Sequence, residues 1–401
     1  MPFYLWFIAI FIIFLSVLPL FLKQNRTSWQ MKRAVIVTVA VLLAIWMIAI
    51  LDVSLFVFCL YIGIIIVILS LSYDDPDYVQ RYIDKYPELV SLIICVNGKE
   101  VMSARSEVKR PLASVVKILI AIAYTNQVVE GKLARNERVN IAELEKFYIP
   151  NTDGGAHPAW LKEMKTSGNL SNNEVTLHAI TKGMIKYSSN ANTEFLIDKL
   201  GADSINQVIA DLALKDHDPV YPLVSALLVP SYVEKHQSEL SSLQVKEKLQ
   251  AMDMEEYRGI TWSVHHQLKQ GDSSLKDNWK IIPLNLQKIW SDRLPNATVK
   301  DYAKVMHAIS NDEATLPKGA SILRNIMEWP MENKVNKQQY AQLGGKGGST
   351  AFVLNNALYA EDHQGRQVEF VLFTEGFSFM ERMKMNQNLN RFMKKVIRER
   401  L

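Results

Sequence analysis

The sequence predicts an α+β protein behind a membrane anchor. One antiparallel five-stranded sheet is flanked by helices, and an all-helical subdomain lies between its two halves. Three observations carry this reading. Residues 1–72 hold one acidic side chain, Asp52, and two long apolar stretches. A β-prone hairpin pattern at Leu89–Ala104 opens the rest of the chain, and three strand-like runs between Gly344 and Thr374 nearly close it. What separates them reads mostly as helix. The chain divides into an anchor, residues 1–73, and one larger domain, residues 74–401, with a helical elaboration over 204–298.

Residues 3–22 carry no charge and are long enough to span a bilayer. No basic residue precedes this run and no small-x-small site comes after it, which argues against a cleaved signal peptide. Residues 34–72 are apolar except for Asp52. As helix they would extend roughly 58 Å, nearly twice a hydrocarbon core of about 30 Å. This length admits a hairpin of short spans turning at Asp52, or one span continuing into an embedded or interfacial segment. Asp52 is then a turn residue or an intramembrane carboxylate. Lys23, Arg26, Lys32 and Arg33 should face the cytoplasm. Two spans then put the large domain outside, and three put it inside. Asp74, Asp75 and Asp77 favour an outside end, so the topology stays open.

Beyond the anchor, Asp74–Glu88 is a short polar helix. Leu89–Val96 and Lys99–Ala104 are strands joined by Asn97-Gly98, a hairpin turn signal. Ser114–Gln127 is helical. Val175–Leu200 is helical with a polar break at Tyr187–Asn192, and Asp203–Ala213 is another helix. Residues 214–298 are mixed but mostly helical, with prolines at 219, 222, 230, 283 and 295. Thr298–Ile309 is a helix. Gly344–Asn355, Ala357–Asp362 and Gln367–Thr374 are strands, the last two turning at Asp362–Gly365. Met380–Leu401 is an amphipathic closing helix.

The 401 residues are 49% hydrophobic and 21% charged, which excludes wholesale disorder. A net charge of +4 is too small over this length to indicate a nucleic-acid partner. Two cysteines, Cys59 and Cys95, give no disulfide framework. That fits a reducing compartment, and equally an outer cell face whose proteins avoid cysteine. The eight histidines form no metal pattern: His265-His266 is adjacent, not spaced for one helical face. No metal and no cofactor are expected.

Three short segments carry chemistry. Ser114-Val115-Val116-Lys117 opens the first long apolar helix, and an i,i+3 spacing puts serine and lysine one turn apart on one face. A neutral lysine amine there can take the hydroxyl proton, which a weak serine nucleophile requires. The spacing alone is unspecific, since Ser106–Lys109 and Ser273–Lys276 share it; only Ser114 comes after a hairpin and starts an apolar helix. The bland alternative is an ordinary helix-start serine. Ser188-Ser189-Asn190 lies in the polar break. It is either a pair of helix caps or a proton relay at Ser188 with an amide-binding Asn190. Gly344-Gly345-Lys346-Gly347-Gly348-Ser349-Thr350 begins a strand, where glycines admit a ligand close to the backbone. A phosphate loop fails, because Lys346 is followed by glycine and by a strand.

In this order the three segments resemble those of the serine β-lactamase and penicillin-binding-protein superfamily, closest to class A β-lactamase-like serine hydrolases. Thr176-Leu177, Ser188-Ser189-Asn190 and Phe195–Gly201 carry the tightest match, and the resemblance covers roughly residues 78–401. It implies a catalytic set of Ser114 as nucleophile, Lys117 as its base, Ser188 as proton relay and Lys346 as electrostatic partner. It also implies substrate binding by Asn190, Gly348, Ser349 and Thr350, with Ser114 and Ser349 N–H groups as oxyanion hole. The implied partners are a β-lactam or a peptidoglycan-like D-alanyl peptide, together with membrane lipid; oligomeric state is not legible. The implied protein is a multi-pass cell-membrane enzyme with an extracytoplasmic domain, or alternatively a slowly deacylating β-lactam or cell-wall sensor.

Three departures qualify it. Ser189 stands where class A usually has Asp, and Gly347 replaces a hydroxyl residue for which Ser349 or Thr350 could substitute. No Glu-x-x-x-Asn segment comes after the second motif to supply a deacylating base. Glu234, Glu239, Glu247, Glu255 and Glu256 qualify by position only, with surface helix charges as the alternative. Tyr148–Trp160 is an unusual segment, either a cleft wall or a surface loop.

Overall fold

The computed structural model describes residues 77–277 and 283–400, together with Gly63 and Asp75. The expected membrane spans lie outside the described residues. Among the described residues no helix is long and apolar enough to cross a membrane. Pro76–Leu401 forms one compact unit.

Helix α1 (Tyr78–Lys85) leads into strands β1 (Val90–Val96) and β2 (Lys99–Ala104). Asn97 and Gly98 both take positive φ, 49° and 71°, as a primed hairpin turn demands. After β3 (Arg110–Pro111), a 3₁₀ turn at Ala113–Val116 runs into α2 (Lys117–Val129). Next come β4 (Arg138–Asn140), α3 (Ile141–Glu145), α4 (Ala156–Thr166), β5 (Glu174–Thr176), α5 (Leu177–Lys186), α6 (Asn190–Leu200) and α7 (Ala202–Asp211). The elaboration comprises α8 (Val229–His236), α9 (Ser242–Ala251), α10 (Met254–Lys269), α11 (Ser274–Asp277) and α12 (Leu284–Asp292). The chain then returns through β6 (Asn296–Ala297), α13 (Val299–Ser310), α14 (Ala320–Met327) and α15 (Lys334–Gln339). It ends in β7 (Gln342–Ser349), β8 (Leu354–Glu361), β9 (Gln367–Thr374) and α16 (Phe379–Arg400).

The five long strands form one antiparallel sheet in the order β2-β1-β9-β8-β7. Its halves come from the two ends of the domain, as expected. Strand side chains alternate between faces. Ile93, Ala357, Tyr359, Val371 and Phe373 join the larger core with α2, α5, α6, α13 and α14. Leu92, Ile94, Leu358, Phe370 and Leu372 face the second core, closed by α1 and α16. This explains the apolar run Leu92–Val96 in β1, which is covered on both faces. Burying one side chain such as Phe370 contributes about 1.5–3 kcal/mol. Every residue from Lys117 to Thr125 is buried, so α2 is apolar nearly all round and runs through the middle of the helical layer.

Two expected boundaries shift. The strand expected over Gly344–Asn355 is β7 ending at Ser349, then a turn, then β8 from Leu354. Thr350 closes that turn: its N–H donates to Val353 O at 3.0 Å and its Oγ1 accepts from Phe352 N at 3.1 Å. The helix expected from Ser114 begins as a 3₁₀ turn and becomes α-helical only at Lys117. The break in Val175–Leu200 is present: Thr176 caps α5, and Ser189 caps α6.

The elaboration has its own small cores. One gathers Tyr221, Val233, Leu249, Tyr257 and Leu286, and another packs Phe147 and Val224 with Val264 and Leu268. Arg293 donates to Leu249 O at 2.8 Å and Met252 O at 2.5 Å, satisfying carbonyls at the end of α9.

Candidate active site

The site forms where the 3₁₀ turn, the α5–α6 break and the edge strand β7 meet. In a 3₁₀ turn, residues three apart eclipse, so Ser114 and Lys117 lie on one face. Ala113, immediately before Ser114, has φ +47°, and Ser188 has φ +70°. A non-glycine residue in the left-handed region costs of order 1–2 kcal/mol, so surrounding contacts must hold both.

Two buried amines converge on Ser188. Lys117 Nζ donates to Ser188 O (2.8 Å), Ser188 Oγ (3.3 Å) and Asn190 Oδ1 (2.9 Å). Lys346 Nζ lies 3.0 Å from the same Oγ and 2.7 Å from Gly347 O. Burial pushes the Lys346 amine down to about 7. Burial also drives Lys117 well below its usual value, helped by the neighbouring Lys346 charge; Asp153 and Glu194 oppose the shift. Neither carboxylate is free. Asp153 accepts from the N–H groups of Gly155, Ala156 and His157 at the start of α4. Glu194 is fully buried and accepts from Val224 N, Ser225 N and Ser225 Oγ.

Gly348 brings β7 against the Ser114 turn. A Cβ there would sit 2.7 Å from Leu112 O, 2.8 Å from Ser114 N and 2.9 Å from Val115 N. Only glycine permits this approach. Ser349 is exposed on the same strand face as Gly347, whereas Thr350 is buried with its hydroxyl 2.7 Å from Ser291 Oγ on α12. Ser114, Lys117, Ser188, Asn190, Lys346 and Gly348 are thus brought together. Ser349 lies on the rim, and Thr350 is tied to the elaboration.

The five glutamates singled out by position are all exposed: Glu234, Glu247, Glu255 and Glu256 on helices, and Glu239 in the turn between α8 and α9. Tyr148–Trp160 is not a plain surface loop. Its second half is the start of α4, which buries His157 and Trp160 behind the second motif. Two functional neighbours had no sequence signal: His157, bonded to Ser189 Oγ at 2.9 Å, and His265, clamped between Glu194 and Asp198 at 3.3 and 3.4 Å. Nothing in local spacing marks partners so far apart in the chain. Among the described residues no group of three or more His, Cys, Asp or Glu side chains could hold a metal ion.

Fold and site together define a β-lactamase-like serine hydrolase. The chain belongs to the β-lactamase enzyme family, whose family model matches residues 76–396. Among curated proteins no sequence match is found. Solved structures resemble it at low identity. A PBP-A mutant, solved as its acyl-enzyme with penicillin G, shares 16% identity at TM-score 0.49, over 81% of this chain and 96% of that one. A β-lactamase from Sphaerobacter thermophilus shares 18% at TM-score 0.48, over 80% and 97%. A class A β-lactamase from Bacteroides cellulosilyticus shares 14% at TM-score 0.45, over 79% and 99%.

Proposed function

We propose that this is a membrane-anchored serine hydrolase acylated at Ser114 by a β-lactam or a D-alanyl-peptide-like amide, and that it releases the acyl group slowly. The convergence of the Lys117 and Lys346 amines on Ser188, beside the Ser114 turn, carries the reading. Ser114 Oγ attacks the carbonyl carbon while neutral Lys117 takes the hydroxyl proton. The carbonyl oxygen gains charge between the N–H groups of Ser114 and Ser349. The C–N bond breaks as Ser188 hands its proton to the leaving nitrogen, and Ser188 is reprotonated from the lysines. Asn190 and the Gly348 backbone hold the substrate amide, and Lys346 attracts a substrate carboxylate. Water then hydrolyses the ester.

Slow release is expected from the state of the carboxylates. Asp153 and Glu194 are committed to backbone donors, and the five positional glutamates are exposed. General-base assistance is typically worth about 10²–10⁴ in rate. This same point supports the alternative of a β-lactam or cell-wall sensor, which differs in failing to turn over D-alanyl peptides.

A fluorescent penicillin tracked by gel and intact mass tests the reading. Stoichiometric, persistent labelling of the wild type is expected, with none in Ser114→Ala. Labelling of the alanine protein at the wild-type rate sinks the nucleophile assignment. Fast turnover without a burst requires a working base and restores an efficient β-lactamase. The domain is proposed to lie outside the membrane, where such substrates are. A cysteine at exposed Glu247 should react with an impermeant thiol reagent on intact cells, above the wild-type background. Lys276 is unsuited to this probe, because its amine donates to Glu145 O and Lys146 O.

A further inference from the structure

Ser189 is fully buried immediately after Ser188, and its hydroxyl is a junction. Asn192 is oriented by its own Nδ2, which donates to Ile180 O at 3.0 Å. Its Oδ1 therefore faces Ser189 and accepts the hydroxyl proton at 3.0 Å. Ser189 Oγ in turn accepts from Asn192 N at 3.3 Å. A hydroxyl has one proton to give. The 2.9 Å contact with His157 Nδ1 is then a hydrogen bond only if that ring nitrogen donates. The same count makes the 3.3 Å contact between His157 Nε2 and Glu145 Oε1 a hydrogen bond only when Nε2 also carries a proton.

His157 is held as tightly as it holds. It is fully buried, with its ring centroid 4.9 Å from Tyr148 and 5.4 Å from Trp160. Gly183 makes room for this arrangement, since a Cβ there would lie 2.4 Å from Trp160 Nε1 and 2.8 Å from Asn192 Nδ2. The ring thus reaches from α4, a different stretch of chain, to the residue next after the left-handed Ser188. Ser189 also closes the first turn of α6, through Thr193 Oγ1 donating to its carbonyl at 2.7 Å.

We propose that His157 is a positioning residue: its ring N–H, reaching across from α4, anchors the Ser189 hydroxyl and so fixes the Ser188–Asn190 turn against Lys117 and Lys346. The catalytic part of this inference rests on the proposed function; the anchoring part does not. His157 touches none of the reacting groups. It acts through Ser189, and a displacement of about 1 Å at Ser188 is enough to cost on the order of 10²-fold in rate.

The test uses the full chain in detergent and three variants. In His157→Asn the side-chain amide nitrogen overlays Nδ1 and can still donate to Ser189. In His157→Gln the amide nitrogen overlays Nε2 and cannot. His157→Ala removes both contacts. Two readouts are taken: amide hydrogen exchange of a peptide covering residues 187–193, against β9 as control, and the second-order rate constant for labelling by fluorescent penicillin. Exchange should rise at least tenfold in the Ala and Gln variants and stay within threefold of wild type in the Asn variant, with β9 unchanged in all. The labelling rate should keep the same order, falling 10- to 100-fold in Ala and Gln. Equal behaviour of Asn and Gln, or unchanged exchange in Ala, overturns the proposal. If wild type is not labelled but exchange behaves as stated, anchoring stands and the assigned reaction is wrong.

Discussion

Lys346 sits in the fold between Ser188 Oγ and the Gly347 carbonyl, with no carboxylate bonded to its amine among the described residues. Folded, it titrates near 7; unfolded, near 10.5. Between these values the unfolded chain holds more protons, so this residue makes stability rise with pH from about 7 to about 10.5. Lys346→Met should therefore stabilise the protein by on the order of 1 kcal/mol or more at neutral pH and below, with the gain vanishing towards pH 10.5. Denaturant unfolding at several pH values reads this directly, and labelling by penicillin should be lost in the same protein. The acylation rate of the wild type should rise with pH and level off well below the usual lysine value of 10.5, because its base is the Lys117 amine, which burial favours in the uncharged form. A rate constant that climbs only near 10.5, where an ordinary lysine loses its proton, contradicts a buried, uncharged Lys117 as the base.

At the scale of elements, the Ser114 turn and β7 depend on one missing side chain. Gly348→Ala would drive a methyl group into Leu112 O and the Ser114 and Val115 N–H groups. The strand must retreat, and with it the Ser349 N–H. Acylation should fall about 10²–10³-fold, the loss expected for one oxyanion-hole donor. Loss of activity with retained melting temperature agrees; an unchanged rate shows that the strand does not serve the reaction. This glycine was visible in the sequence because four glycines around Lys346 have no reason to exist in a plain strand. The hairpin at Asn97-Gly98 and the break at Ser188–Asn190 were visible for similar reasons, since turn chemistry and caps are local. The loop after Ser349 was not, because Thr350–Val353 reads as β-prone and is bent by hydrogen bonds to itself. The pairings of β3 with β6 and β4 with β5 were hidden as well. Each involves two or three residues, too few to carry a period, and is made by segments far apart in the chain.

In the whole molecule, the elaboration is fastened to the catalytic layer through a charged cluster. Burial pushes His265 down, but Asp198 and Glu194 outweigh it and hold the imidazolium up to about 9. Its stabilisation is complete below the unfolded value of 6.5 and is lost as pH rises through about 9. His265→Gln strands the buried Glu194 beside Val224 and Ser225, and should cost about 3–5 kcal/mol at pH 6. The difference in melting temperature between wild type and variant should shrink from pH 6 to pH 10; a constant difference removes the cluster as the fastening. The sheet carries a consequence of another kind. Its middle strand, β9, pairs along β1 from Val90↔Thr374 to Val96↔Val368, so the first long strand finds its partner only near the end of the polypeptide. A growing chain offers β1 one neighbour, β2, and leaves the other edge bare throughout synthesis. An unpaired apolar edge is a template for wrong partners. The nascent protein should thus require a holding chaperone until β9, Gln367–Thr374, emerges, and a chain stopped before Gln367 should be degraded rather than secreted or stored as a partial domain.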